Sequence, residues 1–212
     1  RQVNNEEDSA VTGKNSILQY PHLILGAFAI FLHVGTQVIA IDTIIGYAES
    51  MGIGLVEAKV FPSYTLTCTL IGYFLGVLFI PKVISQTRVL ILCTTLGLIF
   101  SFGVIFASGD ITLFGHRTDL SIWFLVLMGL PNALIYAGIW PLAINGLGRF
   151  TNLGSSLLVM GLCGNAFLPM IYGILADHYD VRTGYWVLIP CFLYLIFFAI
   201  WGHKIKNWKS TK

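Results

Sequence analysis

Asn132 stands in the middle of GLPNALIYAGIWPLAINGLGRF, residues 129–150, where its apolar neighbours leave a carboxamide no water to bond. His33 and Gln37 occupy the same kind of position in residues 22–47, and Asn165 does so in residues 153–175. An amide both donates and accepts hydrogen bonds. No Lys or Arg stands at the middle of these runs, so the set suits a neutral, hydroxyl-rich ligand rather than an ion. Tyr136 and Trp140 would add aromatic faces for the C–H surfaces of such a ligand. His33 and Gln37 are four apart and project together from a helix, and Asn132, Tyr136 and Trp140 form a second such stripe. Each residue alone could equally be glue between membrane helices, worth about 1 kcal/mol or less. Agreement in depth favours a polar cavity: the midpoints of the three runs fall near Val34, Asn132 and Gly164, each beside one of these groups.

The elements that must hold these groups follow from composition. Hydrophobic residues make up 56% of the 212 and charged residues 10%, with a mean hydropathy of +0.81. Soluble chains carry about 25% charge, so this is a membrane protein. A helix crossing the hydrocarbon needs about 20 apolar residues. Six such runs are legible, at about residues 22–47, 62–81, 89–107, 121–142, 153–175 and 185–201. Segments of about ten alternating residues, the mark of a membrane β-barrel, do not occur. The expected fold class is all-α with six spans over 21–205, preceded by a flexible cytoplasmic linker at 1–20 and followed by a basic cytoplasmic tail at 206–212. The polar, partly acidic NNEEDSAVTGKNS ahead of the first run is not the basic leader of a signal peptide.

An even number of spans puts both ends on one side. That side holds Arg1, Lys14, Lys82, Arg88, Arg149, Lys204, Lys206, Lys209 and Lys212, and the other holds Lys59, Arg117 and Arg182. Nine basic residues against three predict cytoplasmic termini. The net charge of +2 is therefore a topology signal and gives no reason to expect a nucleic-acid partner. Cys68, Cys93, Cys163 and Cys191 lie in apolar runs at unrelated spacings, with no CxxC and no His nearby. They read as small buried apolar residues, so neither a metal site nor a cofactor is expected. No HExxH, no Ser/His/Asp grouping and no paired acids at one depth are present, which argues against an enzyme.

Asp42 is the only acid within a run and lies about 10 Å from the centre at 1.5 Å per residue. It reads either as a structural partner or as a proton-linked group. Small residues four apart (Gly72 and Gly76, Gly97 and Ser101, Gly129 with Ala133 and Ala137) predict close helix approaches. Pro131, Pro141 and Pro169 predict bends in the fourth and fifth spans. Mid-depth polar groups in spans one and four, Gly pairs in two and five, and nearly pure apolar spans three and six suggest an inverted three-helix repeat. That rhythm assigns spans one, two, four and five to the cavity.

Residues 129–178, above all LGRFTNLGSSLLVM, resemble the stretch from the tenth to the eleventh helix of the fucose and glucose/galactose permease family of the major facilitator superfamily. Residues 22–48 are similar to its seventh helix, where Gln37 falls in a VG-x-Q/E pattern. Ala137 stands where the family usually has Pro, Asn165 where it often has a second Gly, and the turn PKVISQTR lacks the acid of the superfamily's gating loop. The resemblance implies helices 7–12 of a proton-coupled monosaccharide symporter of the bacterial inner membrane. It makes sugar, protons, lipid and an amino-terminal six-helix half the partners, with the proton-taking carboxylates in that other half. His33, Gln37, Asn132, Tyr136, Trp140 and Asn165 are the expected sugar contacts. A carrier of another neutral solute, or a six-helix structural or receptor subunit, is the alternative.

Overall fold

The computed structural model describes residues 16–80 and 85–208. Most of the proposed linker, the turn residues 81–84 and the end of the tail lie outside the described residues, and with them Arg1, Lys14, Lys82, Lys209 and Lys212. Six helical segments are long and apolar enough to cross a membrane: span 1 Pro21–Asp42, span 2 Leu55–Phe79, span 3 Gln86–Phe106, span 4 Leu120–Ile144, span 5 Gly148–His178 and span 6 Val181–Lys204. Pro21 and Pro62 sit in first helical turns, where an amide would have no partner anyway. The two ends of the described chain meet at one face, where His22 N donates to Ile205 O at 3.1 Å and Trp208 Nε1 to Leu18 O at 2.7 Å. The opposite surface is called the far face below.

The packing is two-fold. Spans 1 and 4 pack on each other, span 5 packs on span 1 and span 2 on span 4, span 6 on span 1 and span 3 on span 4, and spans 3 and 6 on each other. Exchanging 1 with 4, 2 with 5 and 3 with 6 leaves this pattern unchanged, as two inverted three-helix repeats require. Spans 1 and 4 form the covered centre, while spans 2 and 5 are the least covered.

Glycines set the same symmetry. A Cβ on Gly72 would come within 2.5 Å of Leu130 O and 2.8 Å of Ala133 Cβ, and Gly129 leaves no room for one against Thr65 O, so spans 2 and 4 meet backbone to backbone. Gly161 and Gly164 do the same for span 5, seated on Ala27 O and Phe31 O of span 1. Gly97 of span 3 accommodates the Phe192 ring of span 6. Without a hydrophobic drive between helices in lipid, this close approach is what holds them.

Of the three prolines expected to mark bends, Pro131 does so, because it has no N–H for Leu127 O and disturbs the turn before it, while Pro141 and Pro169 lie inside helices. Span 4 breaks at Met128, between helices Leu120–Leu127 and Gly129–Ile144, three residues ahead of Pro131. Span 5 passes through a 3₁₀ turn at Gly161–Cys163, ahead of Pro169. Pro141 stays inside its helix. It cannot bond the carbonyl four residues back, and Gln86 Nε2 of span 3 donates to that carbonyl, Ala137 O, at 2.8 Å.

A β-hairpin joins spans 3 and 4 and is an addition to the all-α expectation: Asp110–Leu113 pairs antiparallel with His116–Asp119 around Phe114 and Gly115. Both turn residues have positive φ, 53° and 86°, the two-residue geometry that suits strand twist. Trp123 Nε1 donates to Thr118 Oγ1 at 2.8 Å, and His116 Nδ1 lies 2.5 Å from Glu57 Oε1, tying the hairpin to span 2. Cys93 and Cys191 are buried as expected, but Cys68 is half-buried and Cys163 is exposed, because it lies on the outer side of the 3₁₀ turn.

Gly164→Ala should force Phe31 backbone and span 5 apart, lowering stability in detergent by about 1–3 kcal/mol. Gly173, with nothing within 4 Å of an added Cβ, is the control. Thermal unfolding of both variants checks this; equal midpoints would contradict the close-packed contact.

Candidate functional site

Helical period separates the polar residues of spans 1 and 4 into two groups. On span 1, Gly26 meets Ala143 of span 4, and Ala27 and Ile30 meet Gly161 of span 5. His33 stands two turns beyond Gly26 on the same face, and so enters the seam with span 4. Gln37 lies on the arc between the span 4 and span 5 contacts. On span 4, Asn132 lies three turns from Ala143 on the same face and so enters that seam from the other side. Tyr136 and Trp140 lie on the arc between Ala143, which faces span 1, and Ala133, which faces span 2.

Burial agrees. His33 is 0% exposed and Asn132 1%, whereas Gln37, Tyr136 and Trp140 are half-buried and Asn165 is exposed. Tyr136 and Trp140 contact each other with ring centroids 5.7 Å apart. Gln37, Tyr136 and Trp140 thus lie half-buried on the arcs of spans 1 and 4 that border their seam, the groove side of the two helices. Asn165 follows Gly164, which is seated on span 1. Measured along the axis from the Gly26–Ala143 contact at 1.5 Å per residue, Gln37 is level with Asn132 and His33 with Tyr136, the two levels about 6 Å apart. Asp42 is exposed at the end of span 1, away from this level.

His33 and Asn132 do not reach the groove surface. Both ring nitrogens of His33 and both amide atoms of Asn132 are buried without a hydrogen-bond partner. Leaving one such buried group unsatisfied costs about 1–3 kcal/mol. Thr and Ser side chains in the spans show the usual alternative, bonding a carbonyl of their own helix: Thr94 Oγ1 to Leu90 O at 2.9 Å and Ser101 Oγ to Gly97 O at 2.8 Å. Tyr194 OH of span 6 likewise donates to Leu25 O at 3.1 Å. The separation of groove from seam was not visible in spacing alone, because His33 and Gln37 are one turn apart.

A second polar cluster at the far face was not anticipated. Tyr47 OH and Ser121 Oγ are 2.7 Å apart, and Thr43 Oγ1 and Tyr185 OH 2.8 Å. Arg182 Nε donates to Val104 O at 3.1 Å and its Nη2 to Ala107 O, closing the last turn of span 3 from the first turn of span 6. Asp119 caps span 4 by accepting from Ser121 N at 2.9 Å. The one sequence signal was the Asp-Leu-Ser at 119–121, a helix-start pattern. Among the described residues no group of His, Cys, Asp or Glu is arranged to hold a metal.

No family model matches the sequence. Over 204 residues the chain is 28% identical to a glucose/galactose transporter of Brucella abortus, covering 94% of this chain and 47% of that protein. It is 26% identical over 199 residues to a putative glucose/galactose transporter of Helicobacter pylori, 91% and 46% of the two chains. Over 194 residues it is 25% identical to the L-fucose-proton symporter of Haemophilus influenzae, 88% and 42%. Its fold matches that of the E. coli fucose:proton symporter FucP with a TM-score of 0.77, at 24% identity, over 85% of this chain and 42% of that one. The chain spans about half the length of the curated relatives it matches. Its six spans have the fold of the carboxy-terminal half of a major facilitator transporter.

Replacing Asn132 by Leu removes two unpartnered polar atoms and keeps the branching and heavy-atom count of the side chain. Thermal unfolding of the full-length protein in detergent should show Asn132→Leu more stable by about 1–3 kcal/mol. A loss of stability would mean that the carboxamide is structural glue.

Proposed function

We propose that this chain forms the carboxy-terminal wall of a proton-coupled monosaccharide transporter working by alternating access, with an amino-terminal six-helix half as its partner. What supports the reading is the set of uncharged amide and aromatic side chains left half-buried or exposed at mid-depth beside the span 1–span 4 seam, in a chain similar over nearly its whole length to sugar transporters. Gln37 supplies a donor and an acceptor to sugar hydroxyls, Asn165 a second such pair from span 5, and Trp140 with Tyr136 an apolar face. His33 and Asn132 lie one layer behind. Their unmet hydrogen-bonding capacity is satisfied when spans 1 and 4 separate and sugar or water enters the seam, which ties substrate binding to movement of these spans. A conformation with four unpartnered polar atoms is one that a ligand can displace.

The basic residues at the termini face support cytoplasmic ends, and bacterial relatives support an inner-membrane location. Proton coupling is proposed from the similarity to a sugar-proton symporter. Asp42 is exposed at the far end of span 1, beyond the level of Gln37.

Uptake of labelled D-glucose, D-galactose and L-fucose by cells making the full-length protein tests the assignment. Gln37→Ala and Trp140→Ala should each lower uptake of the preferred sugar about tenfold, one lost hydrogen bond or stacking contact, at unchanged surface expression. Asp42→Asn should leave the sugar half-saturation unchanged. Normal kinetics in both groove variants would defeat the site, and no uptake of any of the three sugars by the unaltered protein would defeat the sugar reading.

A further inference from the structure

A second cavity opens at the far face, about 400 Å³ in volume, lined by Tyr47, Ser50, Met51, Asp119, Asp180 and Arg182 among others. Its walls come from the segment after span 1, from Asp119 just ahead of span 4, and from the turn that joins spans 5 and 6, so three separate stretches of chain converge on it. The volume lies within the range of small-molecule sites, about 300–1,000 Å³. It is distinct from the groove, since none of Gln37, Tyr136, Trp140 and Asn165 lines it.

Its polar groups are held in place by bonds to backbone. Asp119 Oδ1 accepts from Ser121 N at 2.9 Å and its Oδ2 from Gly109 N at 3.3 Å. Asp180 Oδ1 accepts from Thr183 N, and Arg182 is fixed by the carbonyls of Val104 and Ala107. These bonds use only part of each group. An ionised carboxylate has about four acceptor sites and a guanidinium five donors, so acceptors and donors remain for a ligand. Burial works to raise the Asp119 carboxyl, but the hydrogen bonds from Ser121 and Gly109 outweigh it and hold the group below the usual carboxylate range. The hydrogen bonds at Thr183 do the same for Asp180. Both therefore act as acceptors at neutral pH.

We propose that this crevice is a second binding subsite, for a polyhydroxylated neutral solute approaching from the far face. An anion would meet two carboxylates, and a metal ion would meet the Arg182 guanidinium. A polyol can donate to Asp119 and Asp180, accept from Arg182, and rest its C–H surface on Met51 and Val181. The subsite rests on the transport reading above and extends it: solute is collected at the outer rim before it reaches the groove. Prealigned partners lower the ordering cost of such weak capture.

Hydrogen–deuterium exchange of the full-length protein with D-glucose, D-galactose or L-fucose locates the sugar directly. At a concentration about twice the dissociation constant, bound sugar should slow exchange in residues 47–51 and 176–184 about threefold. Met51→Trp, which fills the crevice while leaving Asp119, Asp180 and Arg182 unsubstituted, should abolish that slowing, and Met51→Leu should retain it. Gln37→Ala, which alters only the groove, should also retain it. Slowing confined to spans 1, 4 and 5 at the groove level, unchanged slowing at 47–51 and 176–184 in Met51→Trp, or no slowing with any of the three sugars, would overturn the subsite. Failure of the transport reading shows separately, as absent sugar uptake by the unaltered protein.

Discussion

Hydrocarbon offers no hydrogen-bond partner, so each polar atom inside a span is satisfied by protein or is left at a cost. Most of this chain obeys that constraint by local means. Thr65, Thr69 and Thr94 bond carbonyls four residues back in their own helices. Where Pro141 frees a carbonyl, Gln86 arrives from the neighbouring span to take its place. Arg182 closes the exposed end of span 3. Against this background His33 and Asn132 stand out, two fully buried side chains on facing helices whose polar atoms meet nothing. Their placement at the contact between the two central spans links an energetic cost to the part of the molecule best placed to move.

The two-fold pattern of packing gives that seam its position. Spans 1 and 4 are each other's symmetry partners, and each carries its outer neighbour through glycine contacts, Gly161 and Gly164 on one side, Gly72 and Gly129 on the other. Spans 1 and 4 join the two three-helix units at the centre, and spans 3 and 6 join them again. The Tyr47–Ser121 and Thr43–Tyr185 hydrogen bonds tie spans 1, 4 and 6 together near the far face. Near the termini the Gly26–Ala143 contact and the 3.0 Å approach of His22 Nε2 to Asn145 O close the same seam, so the unsatisfied groups at mid-depth lie between two tight ends.

Much of this was legible in the sequence, for reasons that differ by feature. Long apolar runs mark spans irrespective of how they pack, so all six were found, with ends that shifted by a few residues. The common depth of Gln37 and Asn132 follows from counting along each run. The small-residue pairs pointed to the span 2–span 4 contact because close approach needs Gly at that spacing. What spacing did not reveal is which side of a span faces protein. In lipid both faces are apolar, so hydropathy does not distinguish His33 in the seam from Gln37 in the groove. The far-face cluster joins residues distant in the chain, such as Tyr47 with Ser121 and Arg182 with Val104, and only its helix cap left a local trace.

Amide and aromatic side chains of spans 1, 4 and 5 are proposed to form one wall of a sugar site. A structure of the full-length protein with a bound hexose tests it most directly. The expected result is the sugar ring against Trp140 with a hydroxyl in hydrogen-bond reach of Gln37. A ring bound wholly by the other half of the protein, with Gln37 and Trp140 facing lipid or packed against that half, would contradict it.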